Sequence, residues 1–300
     1  MQPPTILVVG RTGQLAIALA AAAGARAVMC LGREVIDFDR PAGIAAALAE
    51  RRPDLVINAA AYTAVDKAET DIGAARRANA TGPAALARFC ATADIPLIHV
   101  STDYVFDGTK GAPYRENDPP NPIGVYGATK WEGELAVLAA CPKALIVRTS
   151  WVYAPYGKNF VLTMLKAAER LPRLRVVADQ IGAPTAAADL AAALLAVSDQ
   201  IAKGWRDDYA GLYHAVGAGW TSWHGLAQEA VAAATRHGRP QVEIEAITTA
   251  DWPTPVRRPA DSRLDCGRLE KVFDLRLPAW QDAVQRTVAA VMQDAGGGAC

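Results

Sequence analysis

The sequence predicts an α/β fold with a parallel, doubly wound sheet and a smaller, partly interleaved C-terminal lobe. Short apolar runs alternate with alanine-rich helical stretches, at 5–10, 27–31, 54–58, 96–100 and 145–150. The first run, 5–10, is continuously apolar, which is typical of a strand that is buried on both faces. Repeated strand–helix units imply parallel strands with right-handed crossovers, so the polar residues that follow these strands are expected at one edge of the sheet.

Composition excludes several classes of protein. The hydrophobic content of 51% argues against disorder, and Lys+Arg and Asp+Glu number 31 each. This balance gives no field that would recruit nucleic acid or an anionic membrane. No apolar run is long enough to span a membrane, and the first residues lack the pattern of a signal peptide, so we expect a cytoplasmic enzyme. Five cysteines without paired spacing are interpreted as reduced thiols: Cys30, Cys90, Cys141, Cys266 and Cys300.

A glycine turn follows the first strand and precedes a helix. It reads Gly10-Arg11-Thr12-Gly13-Gln14-Leu15-Ala16, with Gly-x-x-Gly-x-x-Ala spacing instead of Gly-x-Gly-x-x-Gly. Glycines in this place permit a tight bend and let the backbone approach a pyrophosphate, which then lies over the helix N-terminus. The position of the turn predicts a Rossmann-like dinucleotide site.

The second strand ends in glycine and arginine where many dinucleotide sites have an acidic residue for the ribose 2′-hydroxyl. Arg33, together with Arg11, could neutralise a 2′-phosphate, which favours NADPH over NADH. The alternative is that both arginines are simply solvated. Asp37 and Phe38 follow closely and are expected to border the adenine.

The third and fourth strands are expected to deliver residues to the same edge. The segment 59–63, which ends in Ala61-Tyr62-Thr63, would leave room for a ribose or nicotinamide, and a helical stretch at about 71–93 returns to the fourth strand. Ser101, Thr102 and Asp103 follow that strand, where doubly wound folds bind their ligands. His99 within the strand is interpreted as a core histidine.

Tyr126 and Lys130 are four residues apart and open the next helix, so they lie on one face. An ammonium beside a phenol stabilises the phenolate, so we expect the tyrosine pKa to be lowered toward neutrality. Such a tyrosine can exchange a proton with a carbonyl or alcohol oxygen, and Thr102 could hold that oxygen. The pair alone occurs often by chance on helix surfaces, so its weight comes from the nucleotide site at 10–16.

The predicted organisation is a Rossmann domain at 1–150 that regains segments near 174–218, and a substrate lobe formed mainly by 151–173 and 219–300. We expect a helix at 160–170 and strands at 174–177 and 211–216. Arginines of the lobe could bind a diphosphate or form surface ion pairs. The histidines lack metal-ligand spacing, so no metal site is predicted. Gly296-Gly297-Gly298 is interpreted as a frayed tail.

Two motifs carry most of a family resemblance, Ser-Thr-Asp-Tyr-Val-Phe at 101–106 and Arg-Thr-Ser-Trp-Val-Tyr at 148–153. Together with further motifs along nearly the whole chain, they resemble those of one enzyme family, the dTDP-4-dehydrorhamnose reductases of the extended short-chain dehydrogenase/reductase superfamily. The Ser-Thr-Asp-Tyr-Val-Phe and Arg-Thr-Ser-Trp-Val-Tyr motifs are the most specific to this family, since the Tyr–Lys spacing is shared across the superfamily. The matching segments are 10–15, 58–69, 101–108, 125–134, 148–153, 179–185 and 258–264.

The resemblance implies roles for particular residues. It assigns Thr102, Tyr126 and Lys130 to catalysis, with Asp103 beside the sugar and Trp151 packed against the deoxysugar ring. The residues it implies to bind cofactor are Gly10, Gly13, Gln14, Leu15, Asp37, Phe38, Ala61, Tyr62, Thr63, Tyr126 and Lys130. Arg11 and Arg33 join them on the 2′-phosphate argument above. Gly32 replaces an acidic residue of some members, which makes a preference for NADH doubtful. Ala188 replaces a glutamate linked to magnesium at a dimer interface, so magnesium dependence and that type of dimer are doubtful.

The implied reaction is the reduction of dTDP-4-dehydro-β-L-rhamnose to dTDP-L-rhamnose by hydride transfer from NAD(P)H, with Tyr126 as the proton donor. One alternative is a nucleotide-sugar epimerase or dehydratase of the same superfamily, which would keep its nicotinamide bound through a closed redox cycle. Another is a non-catalytic regulatory subunit resembling that of methionine adenosyltransferase. The expected assembly is a monomer or homodimer.

Overall fold

The computed structural model describes residues 4–297, so Cys300 and Gly298 of the predicted tail lie outside the described residues. The strands are β1 Thr5–Val9, β2 Ala27–Leu31, β3 Leu55–Asn58, β4 Leu97–Thr102, β5 Ala144–Thr149, β6 Val152–Tyr153, β7 Arg173–Val177, β8 Ile181–Gly182, β9 Thr185–Ala186, β10 Gly211–His214, β11 Thr221–Ser222 and β12 Glu243–Ile247. The helices are α1 Gln14–Ala21, α2 Ile44–Ala49, α3 Val65–Ala68, α4 Ile72–Arg76, α5 Gly82–Thr92, α6 Val125–Ala140, α7 Phe160–Ala168, α8 Ala187–Ala202, α9 Trp223–Thr235, α10 Gly267–Phe273 and α11 Trp280–Gly297.

The main sheet has six parallel strands in the order β10-β5-β4-β3-β1-β2. The chain runs from β1 outward to β2 and then returns to β3 on the other side of β1. Ligands of open α/β sheets bind where the strand order reverses in this way, outside the carboxyl ends of the strands. The predicted α/β, Rossmann-like fold is therefore confirmed.

Helices cover both faces of this sheet, and alternate side chains of β1 show why. Ile6 and Val8 point into a core formed with α1, α8 and α10. Leu7 and Val9 point into a second core formed with α2, α5 and α6. Because all four side chains are buried, the strand reads as a continuous apolar run.

The second lobe contains three small two-stranded sheets, packed with α7, α9 and α11. Two segments differ from the predicted boundaries. Strand β7, expected near the return to the main sheet, pairs with β12 in the lobe instead, and its alternating burial fits a sheet covered on one face. The chain rejoins the main sheet through α8 and β10. Helix α10, expected in the lobe, packs its Leu269 and Phe273 on the main sheet.

The helical stretch predicted at 71–93 is interrupted by a π-helical segment, Arg77–Thr81. Such π-bulges are frequently found at functional sites. Here the segment lies against α6 at Gly133, where a Cβ atom would overlap the carbonyl oxygen of Asn79. The Asn79 side chain also accepts a hydrogen bond from Tyr62 N (2.8 Å) and donates one to Thr129 Oγ1 (3.1 Å). The π segment therefore fixes α6 against the loop after β3.

Candidate active site

A single cavity of about 1320 Å³ lies at the carboxyl edge of the main sheet. Every residue that the sequence analysis assigned to catalysis, cofactor or substrate lines it, from the glycine turn at 10–15 to Trp151. The cavity exceeds the roughly 300–1,000 Å³ of an ordinary ligand pocket, so it has room for a dinucleotide and a second ligand. The structure thus brings these residues together, and their individual roles remain predictions.

The glycine turn leaves an open backbone surface at the start of α1. Gly10 has a φ of +125°, in the range that favours glycine, and its N–H donates to Leu31 O at 2.8 Å. Nothing lies within 4 Å of the place where a Cβ of Gly13 would be. The Gln14 side chain is turned toward the second lobe, where its Oε1 accepts a hydrogen bond from Asn159 Nδ2 at 2.8 Å. The backbone of this turn and the N-terminus of α1 suit a pyrophosphate.

Carboxylates pair with both arginines that were expected to neutralise a 2′-phosphate. Arg11 Nη1 lies 2.7 Å from Glu34 Oε1. Arg33 forms ion pairs with Asp37 (3.4 Å) and Asp39. Sequence reasoning missed Glu34, although it comes only three residues after β2, because Gly32 stands in the usual acidic position. A Cβ on residue 32 would overlap the Glu34 carboxyl group, so Gly32 is what allows Glu34 to fold back here.

Tyr126 lies in the first turn of α6, beside the end of β4. The N-terminus of this helix is fixed by Glu69, whose Oε1 accepts a hydrogen bond from Val125 N at 2.7 Å. Thr102 Oγ1 donates to Asp103 Oδ1 at 3.0 Å and accepts from Tyr104 N at 3.2 Å. The start of α6 and the end of β4 therefore bring the Tyr126 phenol next to the Thr102 hydroxyl and the Asp103 carboxyl group.

Electrostatics at this point contradict one expectation. Burial raises the pKa of Tyr126 to about 12; interaction with the Thr102 hydroxyl lowers it, and the charge of Asp103 raises it. The expected fall toward neutrality is therefore wrong, because burial outweighs the interaction with Thr102, the one contribution that lowers the tyrosine pKa. Burial likewise raises the pKa of Asp103 to about 6, against hydrogen bonds from Ser262 and Thr102 that lower it. Both groups are thereby biased toward their protonated forms.

Lys130 is turned toward the backbone of β4. Its Nζ donates to Val100 O at 2.7 Å and lies 3.4 Å from His99 Nε2. Burial lowers the pKa of Lys130 to about 8, while the negative charge of Glu134 raises it. His99 is fully buried, as expected of a core histidine, and its Nδ1 lies 2.9 Å from Asn58 Nδ2. Burial and the charge of Lys130 hold the His99 pKa well below its usual value, so this imidazole is neutral.

A buried ion pair that sequence reasoning missed ties α6 to the sheet. Glu134 Oε2 lies 2.6 Å from Arg148 Nη2, and the two side chains are 2% and 1% exposed. Ser101 Oγ donates to the same carboxylate at 2.5 Å. Glu134 comes one helical turn after Lys130, so this network fixes the helix that carries Tyr126 and Lys130. The sequence signal was the presence of Glu134 and Arg148 in two of the family motifs.

Two tryptophans meet on the side of the second lobe. Trp151, which follows β5, stacks on Trp223 with ring centroids 3.5 Å apart and an interplanar angle of 9°. Both line the cavity, but the sequence analysis assigned a role only to Trp151. Trp223 was missed because it follows no strand of the main sheet.

The described part of the chain gives two negative findings. Across residues 4–297, no three His, Cys, Asp or Glu side chains cluster in a way that could hold a metal ion. In the same range, no helix combines the length and hydrophobicity needed to cross a membrane.

Comparisons with known proteins agree with the resemblance seen in the sequence. The model of the RmlD substrate binding domain family matches residues 4–293. The dTDP-4-dehydrorhamnose reductase of Sinorhizobium fredii is 42% identical over 288 residues, covering 96% of this chain and 97% of the relative. That of Salmonella typhimurium is 42% identical over 288 residues, covering 94% and 96%.

Solved structures agree in fold. A crystal structure of a dTDP-4-dehydrorhamnose reductase from Clostridium acetobutylicum has a TM-score of 0.88 at 34% identity, covering 96% of this chain and 99% of that one. The Bacillus anthracis dTDP-4-dehydrorhamnose reductase, solved in complex with NADP, has a TM-score of 0.87 at 31% identity with the same coverage. Because the family model and these relatives span nearly the whole chain, the chain belongs to the RmlD family of dTDP-4-dehydrorhamnose reductases.

Proposed function

We propose that this chain reduces dTDP-4-dehydro-β-L-rhamnose to dTDP-L-rhamnose, with NADPH as the preferred reductant and NADH as a possible one. The observation that carries the proposal is that Thr102, Tyr126 and Lys130 line the same cavity as the glycine turn. The names of the relatives and the NADP complex of the Bacillus anthracis enzyme support it.

The nicotinamide cofactor, when bound, supplies the hydride that reduces the C4 carbonyl. The open backbone of the glycine turn fits its pyrophosphate, and Ala61, Tyr62 and Thr63 line the part of the cavity assigned to the ribose and nicotinamide. Arg11 and Arg33 would hold a 2′-phosphate, in competition with the carboxylates that now pair with them.

Tyr126 is the proton donor in this mechanism. With a pKa raised to about 12, the phenol stays protonated at neutral pH until negative charge develops on the sugar oxygen. Thr102 holds that oxygen by a hydrogen bond. Proton donation by a general acid such as Tyr126 contributes a factor of about 10²–10⁴ in rate. Lys130, although its pKa is lowered to about 8, remains mostly charged at pH 7. Its Nζ donates to Val100 O in this structure, and we expect its charge, one turn from Tyr126 on the same helical face, to favour the phenolate left after proton transfer.

The sugar is held by groups beside this centre. Asp103 borders Thr102 and would bind a sugar hydroxyl, and Trp151 offers an apolar surface to the C–H groups of the deoxysugar. Both line the cavity together with Tyr126. Their contacts with substrate follow from the family resemblance and from this placement.

An absorbance assay at the reduced nicotinamide band tests the proposal. Purified protein is mixed with the dTDP-4-keto-6-deoxy-L-sugar and with NADPH or NADH in turn. The proposal predicts one cofactor oxidised per sugar reduced, with dTDP-L-rhamnose as the product. An epimerase or dehydratase would convert sugar without net consumption of cofactor, and a regulatory subunit would convert none.

The remaining predictions concern assembly and location. A monomer or homodimer in the cytoplasm is proposed on the sequence features alone. Light scattering of the purified protein would measure its molar mass in solution and so distinguish a monomer from a homodimer.

A further inference from the structure

The stacked pair of Trp151 and Trp223 connects the two lobes at the cavity. Trp151 follows β5 of the main sheet, and Trp223 begins α9 of the second lobe. Their overlap is nearly parallel and as close as aromatic rings pack, which excludes water from between them. The pair therefore forms a continuous apolar wall of the cavity.

The backbone of Trp151 is strained, and its surroundings hold it in place. Its φ of +45° lies in the left-handed region, which a non-glycine residue adopts only when packing enforces it. Thr185 N donates to Trp151 O at 3.3 Å. A Cβ on Gly182 would lie 2.7 Å from Cζ2 of the indole, so the neighbouring strand approaches the ring as closely as a glycine permits.

Trp223 is fixed from two further directions. Its Nε1 donates to Gln180 Oε1 at 3.2 Å, and Gln180 Nε2 donates to Thr249 Oγ1 at 3.0 Å. The ring of Phe160 packs at a centroid distance of 4.7 Å with a tilt of 51°. These contacts fix both the position and the plane of the Trp223 ring. The Trp223 ring can therefore hold the stacked Trp151 indole in one orientation.

We infer that Trp223 is a second determinant of sugar binding, which positions the Trp151 indole and extends the apolar wall that receives the 6-deoxysugar. The inference rests on the proposed function and deepens it. A 6-deoxyhexose presents C–H groups and a methyl group, which gain free energy when an apolar surface removes them from water. A hydroxyl in that place would lose its hydrogen bonds with water against two indole rings, so the wall favours deoxysugars.

Binding calorimetry on full-length variants tests the inference. Trp223→Ala removes the stacking partner, Trp223→Phe restores an aromatic ring, and Trp220→Ala is the control. Trp220 is an exposed tryptophan of the same lobe, 55% exposed, and does not line the cavity. Each protein is saturated with NADP and titrated with dTDP-L-rhamnose and, separately, with dTDP, which lacks the sugar.

The inference predicts that Trp223→Ala weakens the binding of dTDP-L-rhamnose about tenfold and leaves the binding of dTDP and NADP unchanged. Trp223→Phe should recover most of the loss, and Trp220→Ala should behave as wild type. Equal weakening of dTDP and dTDP-L-rhamnose would assign Trp223 a merely structural role and overturn the inference, as would unchanged binding of both. If the wild-type protein binds no dTDP-L-rhamnose, the proposed function itself fails.

Discussion

The buried ion pair of Glu134 and Arg148 gives a prediction about both stability and catalysis. Glu134→Leu removes the carboxylate and leaves the Arg148 guanidinium in a site where that side chain is 1% exposed. The remaining neighbours of this cation include the ring of Phe106, at 5.0 Å from the guanidinium carbon. A ring face cannot replace a carboxylate that accepts three hydrogen-bond contacts from the arginine.

The expected loss follows from the geometry. Two unit charges at the 2.6 Å of the Nη2–Oε2 contact attract by roughly 6 kcal/mol at an effective dielectric constant of about 20. Relaxation and water entry recover part of this, and removal of one partner from a buried pair typically costs about 3–5 kcal/mol. A loss of about 3–5 kcal/mol in the free energy of unfolding is therefore expected, which is a large share of the about 5–15 kcal/mol of an ordinary protein.

Urea unfolding followed by tryptophan fluorescence measures the effect. The double variant Glu134→Leu/Arg148→Met serves as the matched control, because replacing both partners with apolar groups leaves no uncompensated charge and should recover most of the loss. The reasoning is refuted if the single variant loses less than about 1 kcal/mol, or if the double variant is no more stable than the single one. A second readout is the pH profile, since the charge of Glu134 raises the pKa of Lys130 and its removal should lower that pKa further.

Three other substitutions test separate parts of the site. Glu34→Gln should shift the ratio of kcat/KM values toward NADPH by about tenfold, because Arg11 loses its ion pair and a 2′-phosphate loses a repulsive neighbour. Asp103→Asn should remove a pH dependence of stability. Because the pKa of this carboxyl group is raised from 3.8 to about 6 in the folded state, its contribution to the free energy of unfolding is fully present below pH 4 and falls by up to about 3 kcal/mol as pH rises through 6. Gly133→Ala should cost about 1–3 kcal/mol or more, because the new methyl group overlaps a carbonyl of the π-helical segment.

Each of these has its own check. Steady-state kinetics with NADPH and with NADH tests Glu34→Gln, and an unchanged ratio of the two kcat/KM values would mean that the Glu34 carboxylate plays no part in cofactor choice. Urea unfolding at pH 4, 5, 6 and 7 tests Asp103→Asn. If the difference in free energy of unfolding between wild type and variant does not change with pH, the prediction is contradicted. For the third, Gly43→Ala is the control, since nothing lies within 4 Å of a Cβ there. Equal stability of Gly43→Ala and Gly133→Ala would contradict the packing argument.

The main sheet was predictable because its signal is local. A strand buried on both faces must be apolar throughout, as Ile6–Val9 of β1 are. The run at 27–31 matches β2 residue for residue, although this edge strand is fully buried only at Leu31. Because the strands are parallel, the polar residues that follow them all lie at the same edge of the sheet. The place of the cavity could therefore be predicted, although the residues that line it are far apart in the chain. The small strands of the second lobe carry no such signal, since β7 is buried on alternate residues and its partner β12 lies about 70 residues later.

The electrostatics of the site were less predictable, because they depend on three-dimensional neighbours. The four-residue spacing of Tyr126 and Lys130 correctly implied one helical face, but it could not show that the ammonium bonds to Val100 O. The degree of burial, which dominates the pKa of both side chains, is also a tertiary property. The stacking of Trp223 on Trp151 depends on the packing of one lobe against the other, for which neither residue gives a local signal.

Tyr126→Phe tests the proton transfer most directly, because it removes one hydroxyl group and leaves the ring that packs edge-on against Tyr104 at 5.6 Å. The measurement is the single-turnover rate of NADPH oxidation with the dTDP-4-keto-6-deoxy-L-sugar, together with NADPH affinity from fluorescence titration. The mechanism predicts an unchanged affinity and a rate that falls by about 10²–10⁴. A rate within a factor of about three of wild type would show that Tyr126 is not the proton donor.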